Sequence, residues 1–589
     1  MKDLLRLFSI WEDYKKWLGV SILLTIGGAL GTLAVPALSQ ALIDKGILSG
    51  DMGLILQYGG YMMVLTLVAA TCQVANTVIA VRFSEWTAHY LRTSAYDRIQ
   101  ELSFGNLDRM RPSDLLVRLT NDVQNVKIAI QQGILNLPLI PVMFIITIIL
   151  ISLRSPSLIG LMALLIILFS GLLGLYLWLV LPVFADRQET YDRMGSALQE
   201  NLAGVRVIKA FVRQRLENER FSQIASDVRS RSQHAQNYIA MLIPTMLLID
   251  NLALIAIFYT GGTQIRLGTG FSIGEVLASI QYLFLLIMPF MILGSVLPAV
   301  SAARPSLKRI FEILDTPADI RDPDVPAGPD PGQVRGRVVF DHVSFGYAGP
   351  GNRPGPLVLN DISFTVEPGE TIGILGSTGS GKSTLVHLIP RFYDVTSGSI
   401  TVDGTDIRKI PQDTLRKMVV VCLQQPNLFF GTIRENLQFA SDNPLESAMV
   451  AAAEDADADA FIRNIPQGYD DAVTRHGANF SGGQRQRLAI ARTLAADPKI
   501  LVLDDSTSAC DVATEARIQD AIDRRFSKVT RILVAQRIST VIAADRILLL
   551  ENGRILASGT HEMLLKTSPE YREIYDSQLG GGITGGNAP

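Results

Sequence analysis

The sequence predicts two modules of different class in one chain: an all-α bundle of six transmembrane helices, fused to an α/β domain of the P-loop type. Three observations carry this. Long apolar runs dominate residues 1–305, a Pro-, Asp- and Gly-rich stretch follows them, and beyond it a glycine-rich loop stands between an apolar strand and a helical pattern. The 589 residues are 48% hydrophobic and 19% charged, with mean hydropathy +0.27. That average is too apolar for a soluble protein and too charged for a membrane bundle alone, so it conceals a partition. A net charge of −3 offers no broad basic surface for phosphate neutralisation, and nucleic acid is not expected as a partner. Cys72, Cys422 and Cys510 are too few and too scattered for a disulfide framework or metal cage, and read as small buried hydrophobes.

The first element, over residues 1–17, mixes bulky apolar and charged residues and lacks the apolar core and small-residue cleavage site of a signal peptide. An amphipathic helix at the membrane surface is expected there. Crossing a bilayer takes about 20 mostly apolar residues, and six stretches qualify, near 18–43, 54–81, 132–153, 157–182, 239–265 and 273–300. Between the second and third lie Arg82, Arg92, Arg98, Arg109, Arg111, Arg118 and Lys127, and nine Lys or Arg lie between the fourth and fifth, from Arg187 to Arg231. The remaining loops carry one each: Lys45, Arg154 and Arg266. The positive-inside rule therefore places both long connections, and both termini, in the cytoplasm.

These connections stay helical in pattern and read as spans prolonged beyond the lipid. Their tips, FGNLDRMRPSDLLVRLTNDV at 104–123 and QENLAGVRVIKAFVRQ at 199–214, fit either a docking contact with a cytoplasmic domain or a solvated charged face. Within the spans the polar residues include Gln73, Asn76, Asp250, Asn251 and Gln281. Asp250 is ionisable inside an apolar run, which makes it a candidate for function; an aqueous cavity or a place below the bilayer would also explain it. Tyr282, Phe284, Met288, Phe290 and Met291 of the last span suit a pliable cavity wall, lipid contact or core packing. The expected division is a transmembrane domain over 1–316, a linker over 317–336, a nucleotide-binding domain over 337–579 and a flexible tail over 580–589.

In the second module Gly376, Ser377, Thr378, Gly379, Ser380, Gly381, Lys382, Ser383 and Thr384 form GSTGSGKST, after the apolar strand 371–375 and before the helical LVHLIPRF. This is the context a P-loop requires. Glycines let backbone N–H groups turn inward around phosphates, and the following helix adds its positive end. Lys382 is expected to reach the β- and γ-phosphates of ATP and Ser383 to hold Mg²⁺. A second apolar strand, 500–503, runs into Asp504 and Asp505; the first can orient the Mg²⁺ shell, and the second stands where a base would polarise the attacking water.

Phe480, Ser481, Gly482, Gly483 and Gln484, followed by RQRLAIAR, resemble the signature motif of ABC transporters. Six spans fused to one such domain, with two coupling-helix-like tips, resemble a type IV ABC exporter half-transporter over all but the Gly-rich tail. The resemblance implies that Tyr347 stacks on adenine, that Gln424 is the Q-loop residue reaching Mg²⁺, and that SACD at 508–511 is the D-loop. It implies that two nucleotide domains close head to tail, each ATP lying between one P-loop and the other chain's signature motif. Ser481, Gly482, Gly483 and Gln484 then serve the partner's nucleotide. It also implies export from the bacterial cell membrane, with hydrophobic or amphipathic compounds such as drugs and lipids as cargo and the nucleotide domain cytoplasmic.

Three positions depart from that family's pattern. Asp505 replaces the glutamate after the Walker B aspartate, Gln536 replaces the switch histidine, and Arg475 replaces the acidic residue before the signature. Aspartate is one methylene shorter, and a catalytic group misplaced by about 1 Å can cost about 10²-fold. A glutamine amide can bond a γ-phosphate but does not titrate as imidazole does. The expectation is a heterodimer in which this chain's own site is degenerate while its signature completes a competent site on a different half-transporter. A homodimer using Asp505 as a weak base, and an ATP-gated membrane protein without pumping, are the alternatives.

Overall fold

The structure, a computed structural model, describes residues 6–7, 10–11, 14–154, 159–268, 271–326, 328, 333–349, 355–440 and 445–579. Most of the surface helix expected over 1–17, the turn between the third and fourth spans, part of the linker over 317–336, and the tail over 580–589 lie outside the described residues. The chain forms two compact units: 1–100 with 113–316, and 101–112 with 317–589.

In chain order the helices of the first half include α1 (Lys15–Ala41), α2 (Met52–Glu101), α3 (Phe104–Asp108), α4 (Val123–Asn136), α5 (Leu139–Arg154), α6 (Ile159–Ala203), α7 (Val205–Ala210), α8 (Gln214–Leu267) and α9 (Ile273–Asp315), with a short helix Pro112–Val117 and π-helical segments Leu42–Ile47 and Arg118–Asp122 between them. Of these α3 belongs to the second unit. Among the described residues six helical stretches are long and apolar enough to cross a membrane. Helices α2 and α8 have 50 and 54 residues. At 1.5 Å per residue such a helix is more than twice as long as the ~30 Å hydrocarbon layer, so it continues well past the lipid. Apolar faces of α1, α5, α6, α8 and α9 meet in a core built around Leu33, Phe169, Ile257, Leu283 and Phe290.

Polar clamps fix the register of these helices, because a hydrogen bond is the only inexpensive way to bury a polar group. Asn76 on α2 accepts from Ser21 Oγ at 2.6 Å and donates to Thr25 Oγ1 at 3.0 Å, both on α1. Gln281 donates to Ser39 Oγ at 3.2 Å. Asp44 accepts from Ser272 Oγ at 2.5 Å and from the backbone of Gly274 at 2.9 Å, satisfying free N–H and O–H groups at the start of α9. A Cβ at Gly274 would lie 2.6 Å from that carboxylate, so only glycine fits. Buried Asp122 accepts from Ser306 Oγ and Arg309 Nε, each at 2.7 Å. Asn251 is exposed and donates to the Leu247 carbonyl of its own helix.

The second unit is an α/β domain whose described residues form a four-stranded, a six-stranded and a two-stranded sheet. Strands β1 (Val338–Phe345), β2 (Leu359–Val366), β4 (Ser397–Val402) and β5 (Thr405–Asp406) pair antiparallel in the order β2-β1-β4-β5. The larger sheet has the order β12-β11-β3-β10-β9-β6, from β3 (Thr371–Leu375), β6 (Val419–Cys422), β9 (Ile500–Asp504), β10 (Thr530–Ala535), β11 (Arg546–Glu551) and β12 (Arg554–Gly559). It is parallel from β11 to β6, with β12 an antiparallel edge. Every residue of β3, β9 and β10 is buried. That burial is why these strands read as unbroken apolar runs and not as alternating ones. Short β7 (Gly431–Thr432) and β8 (Ala472–Val473) pair beside a helical layer that includes α10 (Lys382–His387), α11 (Ile433–Gln438), α12 (Glu446–Asp455), α13 (Gly482–Ala495) and α14 (Val512–Arg525).

The tip helix α3 packs within this second unit. Ser103 and Asn106 close a capping box at its start. Phe104 stacks on Phe392 with ring centres 4.3 Å apart and planes at 21°, and Tyr393 donates its hydroxyl to Asp108 at 2.6 Å. Asn106 donates to the Pro317 carbonyl at 3.1 Å and accepts from Asp319 N at 3.0 Å, and Arg109 pairs with Asp319. At the other tip, α7 leaves Val207, Phe211 and Val212 exposed.

Candidate nucleotide-binding site

Parallel pairing brings three strand ends to one edge. β10 lies between β3 and β9, with Ala535 opposite Leu375 and Val534 opposite Asp504. The residues that follow, Gly376 onward, Asp505 and Gln536, therefore emerge side by side at the carboxyl end of the sheet, where open α/β sheets bind ligands.

The loop from Gly376 to Thr384 turns sharply. Gly379 and Gly381 have φ of +85° and +102°, a region other residues enter only at a cost. A Cβ on Gly376 would stand 2.2 Å from the Leu550 carbonyl. Ser380 N donates to the Ser377 carbonyl at 3.2 Å, Thr378 lies on the exposed crest, and α10 begins directly after Gly381. Lys382 folds inward and donates from Nζ to the carbonyls of Gly376 and Ser377, both at 2.8 Å. Burial lowers its pKa, partly offset by Asp505 and Asp504. Such an ammonium is short of counter-charge and suited to anionic phosphate oxygens.

Asp504 is almost completely buried and accepts from Ser383 Oγ at 2.9 Å. A hydroxyl and a carboxylate converging in this way are the hard oxygen donors that Mg²⁺ takes alongside phosphate and water, so Ser383 and Asp504 fit that ion. His387 Nε2 lies 3.5 Å from the second Asp504 oxygen. Sequence reasoning passed over this histidine, although it stands four residues after Ser383 and so on the same helix face.

Asp505 occupies a left-handed conformation with φ +48°, and its backbone N–H bonds the Val534 carbonyl at 2.9 Å. Its Oδ2 accepts two amides, from Gln424 Nε2 and Gln536 Nε2, both at 3.2 Å. Burial raises the carboxyl pKa, and the neighbouring Asp504 adds to this against the opposing bond from Gln424. Three positions singled out in the sequence thus form one cluster. Tyr347 stands beside the P-loop helix with its hydroxyl 3.0 Å from Thr384 Oγ1, its ring edge-on to Phe345 and Tyr393.

The signature residues sit elsewhere in the domain. Ser481 caps α13, its Oγ accepting from Gln484 N at 3.2 Å while Gln484 Oε1 accepts from Ser481 N at 2.9 Å. Gly482 and Gly483 pack against Ala509, whose carbonyl would lie 3.1 Å from a Cβ at Gly483. Gln486, also missed from sequence, ties this helix to the D-loop by accepting from Ala509 N at 2.7 Å and donating to Ser508 Oγ at 3.1 Å. Among the described residues no hydrogen bond joins Ser481, Gly482, Gly483 or Gln484 to the P-loop. Arg475 lies exposed in a short turn before the motif.

A membrane bundle of six spans with a P-loop, an acidic strand end and a capped signature helix in the second unit defines an ATP-driven membrane transporter. The ABC transporter transmembrane region family matches residues 18–290 and the ABC transporter family matches 359–508. A putative multidrug export ATP-binding/permease protein of Bacillus subtilis is 31% identical over 580 residues, covering 96% of this chain and 98% of the relative. A fatty acid ABC transporter ATP-binding/permease protein of Mycobacterium bovis is 33% identical over 488 residues, covering 82% and 75%. A solved bacterial Atm1-family ABC exporter with ATP bound is 26% identical, with TM-score 0.79 and coverage of 96% and 98%. The chain belongs to the ABC transporter family. It is a multi-pass membrane protein of the half-transporter type, works as a dimer, and couples hydrolysis of Mg²⁺-bound ATP to transport.

Proposed function

We propose that this chain is the non-catalytic half of an asymmetric exporter. Its P-loop holds ATP through the backbone N–H groups of 376–384 and through Lys382. Ser383, Asp504 and Gln424 take the Mg²⁺, and Tyr347 stands against the adenine. Turnover at this site is slow, because Asp505 lacks reach and Gln536 lacks a titratable ring. The observation that carries the reading is the cluster itself: two neutral amides hold the short carboxylate of Asp505 on one oxygen. A base occupied in this way is poorly placed to take a proton from water.

The signature residues Ser481, Gly482, Gly483 and Gln484 present a capped helix start to the nucleotide of a different half-transporter. That partner carries glutamate and histidine at the two matching positions and an altered signature. One competent site drives the cycle, while ATP held here biases the closed pair. The membrane unit moves hydrophobic or amphipathic compounds out of the bacterial cell membrane, with both termini and the nucleotide domain cytoplasmic; the relatives named for multidrug export and for fatty acids support that cargo.

The test is a comparison of ATPase rates in the co-purified pair. Lys382→Ala in this chain is expected to slow turnover only a few-fold, and the matching change in the partner by about 10²-fold or more, the scale of losing one donor that stabilises transition-state charge. Equal losses, or full activity from this chain alone, would return the homodimer reading. Equal vesicle uptake with ATP and with a non-hydrolysable analogue would instead indicate a gate.

A further inference from the structure

We propose that Asp250 anchors an organic-cation site in the membrane unit, so that among amphipathic compounds the transporter selects lipophilic cations over lipophilic anions. This rests on the reading of the chain as an exporter of amphipathic compounds and adds the sign of the cargo's charge.

Asp250 stands near the middle of the fifth apolar run, 239–265, on α8. At 1.5 Å per residue it lies roughly 16 Å or more from either end of that run, deep in the hydrocarbon layer. It is 1% exposed, and among the described residues its buried Oδ1 has no hydrogen-bond partner. Neither situation suits a carboxylate in the absence of a counter-charge. The six apolar runs contain one other Asp, Glu, Lys or Arg, Glu275. Glu275 is absorbed in the capping box at the start of α9. No basic residue of these runs can neutralise Asp250.

Its surroundings suit a large, weakly hydrated cation. Met246, Asp250, Ala253 and Ile257 form the buried stripe of α8, and the three apolar members belong to the core that holds Phe169 and Phe290. Those two rings lie 5.4 Å apart. Aromatic faces and thioether sulfur attract soft cations, whereas a small hydrated ion would not surrender its water in such a place. Access requires α8 to part from the helices packed on this stripe.

The probes are tetraphenylphosphonium and tetraphenylborate, nearly equal in size and shape and opposite in charge. Equilibrium dialysis of the co-purified pair in lipid nanodiscs, with the uptake by protein-free nanodiscs of the same lipid subtracted because the interfacial dipole potential itself favours the borate, reads binding without any need for hydrolysis. The wild type is expected to bind the phosphonium at least about tenfold more tightly than the borate, the worth of one modest ion pair. Asp250→Asn is expected to lose that preference and Asp250→Glu to keep it. Equal affinity for both ions in the wild type, or an unchanged preference in Asp250→Asn, overturns the anchor while leaving the amphipathic cargo standing. Binding of neither ion by the wild type overturns the anchor, and vesicle uptake of a neutral amphipathic dye then reads the cargo proposal separately. Where Asp250→Asn gives no folded protein, Asp250→Glu decides: loss of the preference there also overturns the proposal.

Discussion

At position 505 a single methylene separates the residue present from the family's glutamate, and the consequence is local. The carboxylate ends beside Gln424 and Gln536, which both donate to its Oδ2. Restoring reach alone leaves the amides in place, so Asp505→Glu is expected to raise hydrolysis at this site only slightly. Asp505→Glu with Gln536→His should raise it by about 10–10²-fold, the range expected when a general base is both positioned and freed. Single-turnover hydrolysis in a pair whose partner site has been inactivated measures this. A double variant no faster than the single one would show that the cluster is not what limits the site.

The same carboxyl gives a pH prediction. Its pKa is raised in the fold, chiefly by burial. An acid whose pKa is raised in the fold costs stability at pH above its folded pKa, and the cost is relieved as pH falls through that value. Asp505→Asn should therefore leave nucleotide-free melting at pH 7 unchanged or slightly higher, with the gain vanishing on acidification. A clear loss of melting temperature at pH 7 would contradict this.

Among the elements, α3 packs within the second unit through the Phe104–Phe392 stack, the Tyr393–Asp108 hydrogen bond, the bonds of Asn106 to Pro317 and Asp319, and the Arg109–Asp319 pair. Aromatic pairs contribute about 0.5–1.5 kcal/mol beyond the area they bury. Phe104→Ala is expected to lower transport while leaving the affinity for a fluorescent ATP analogue within about twofold, since no P-loop residue moves. Asp122 is the buried acceptor that holds Ser306 and Arg309. Because Arg309 is partly solvated, Asp122→Asn should cost about 1–3 kcal/mol, as for other hydrogen bonds to charge, and melting in detergent would register it.

The sequence was uneven as a guide at this scale. Apolar runs marked the spans because lipid demands them. The run at 132–153 is nonetheless divided between α4 and α5 beside Pro138, where a missing N–H interrupts the ladder. The sheet β2-β1-β4-β5 went unread: its strands are half-exposed, with burial alternating along the chain, and carry no long apolar run.

For the whole molecule, the decisive expectation concerns stoichiometry. Expressed alone, this chain should bind ATP and show little turnover; expressed with its sibling, it should co-purify as a one-to-one pair with full activity, read by mass photometry and ATPase rate. Full turnover from a pure homodimer would remove the asymmetric reading.

The sequence by itself determined the two modules, their order, the P-loop, the signature helix and the two substitutions at 505 and 536. These are properties of composition and of neighbours along the chain, where geometry is set within a few residues. Only the tertiary structure decided that Gln424, Asp505 and Gln536 form one hydrogen-bonded cluster, because their meeting depends on β10 pairing between β3 and β9. It likewise decided that His387 faces Asp504, that Phe104 lies on Phe392, and that Asp250 is buried with an oxygen unpartnered among the described residues. Each of these requires segments distant in sequence to be packed together, and no local pattern encodes which distant partner is chosen.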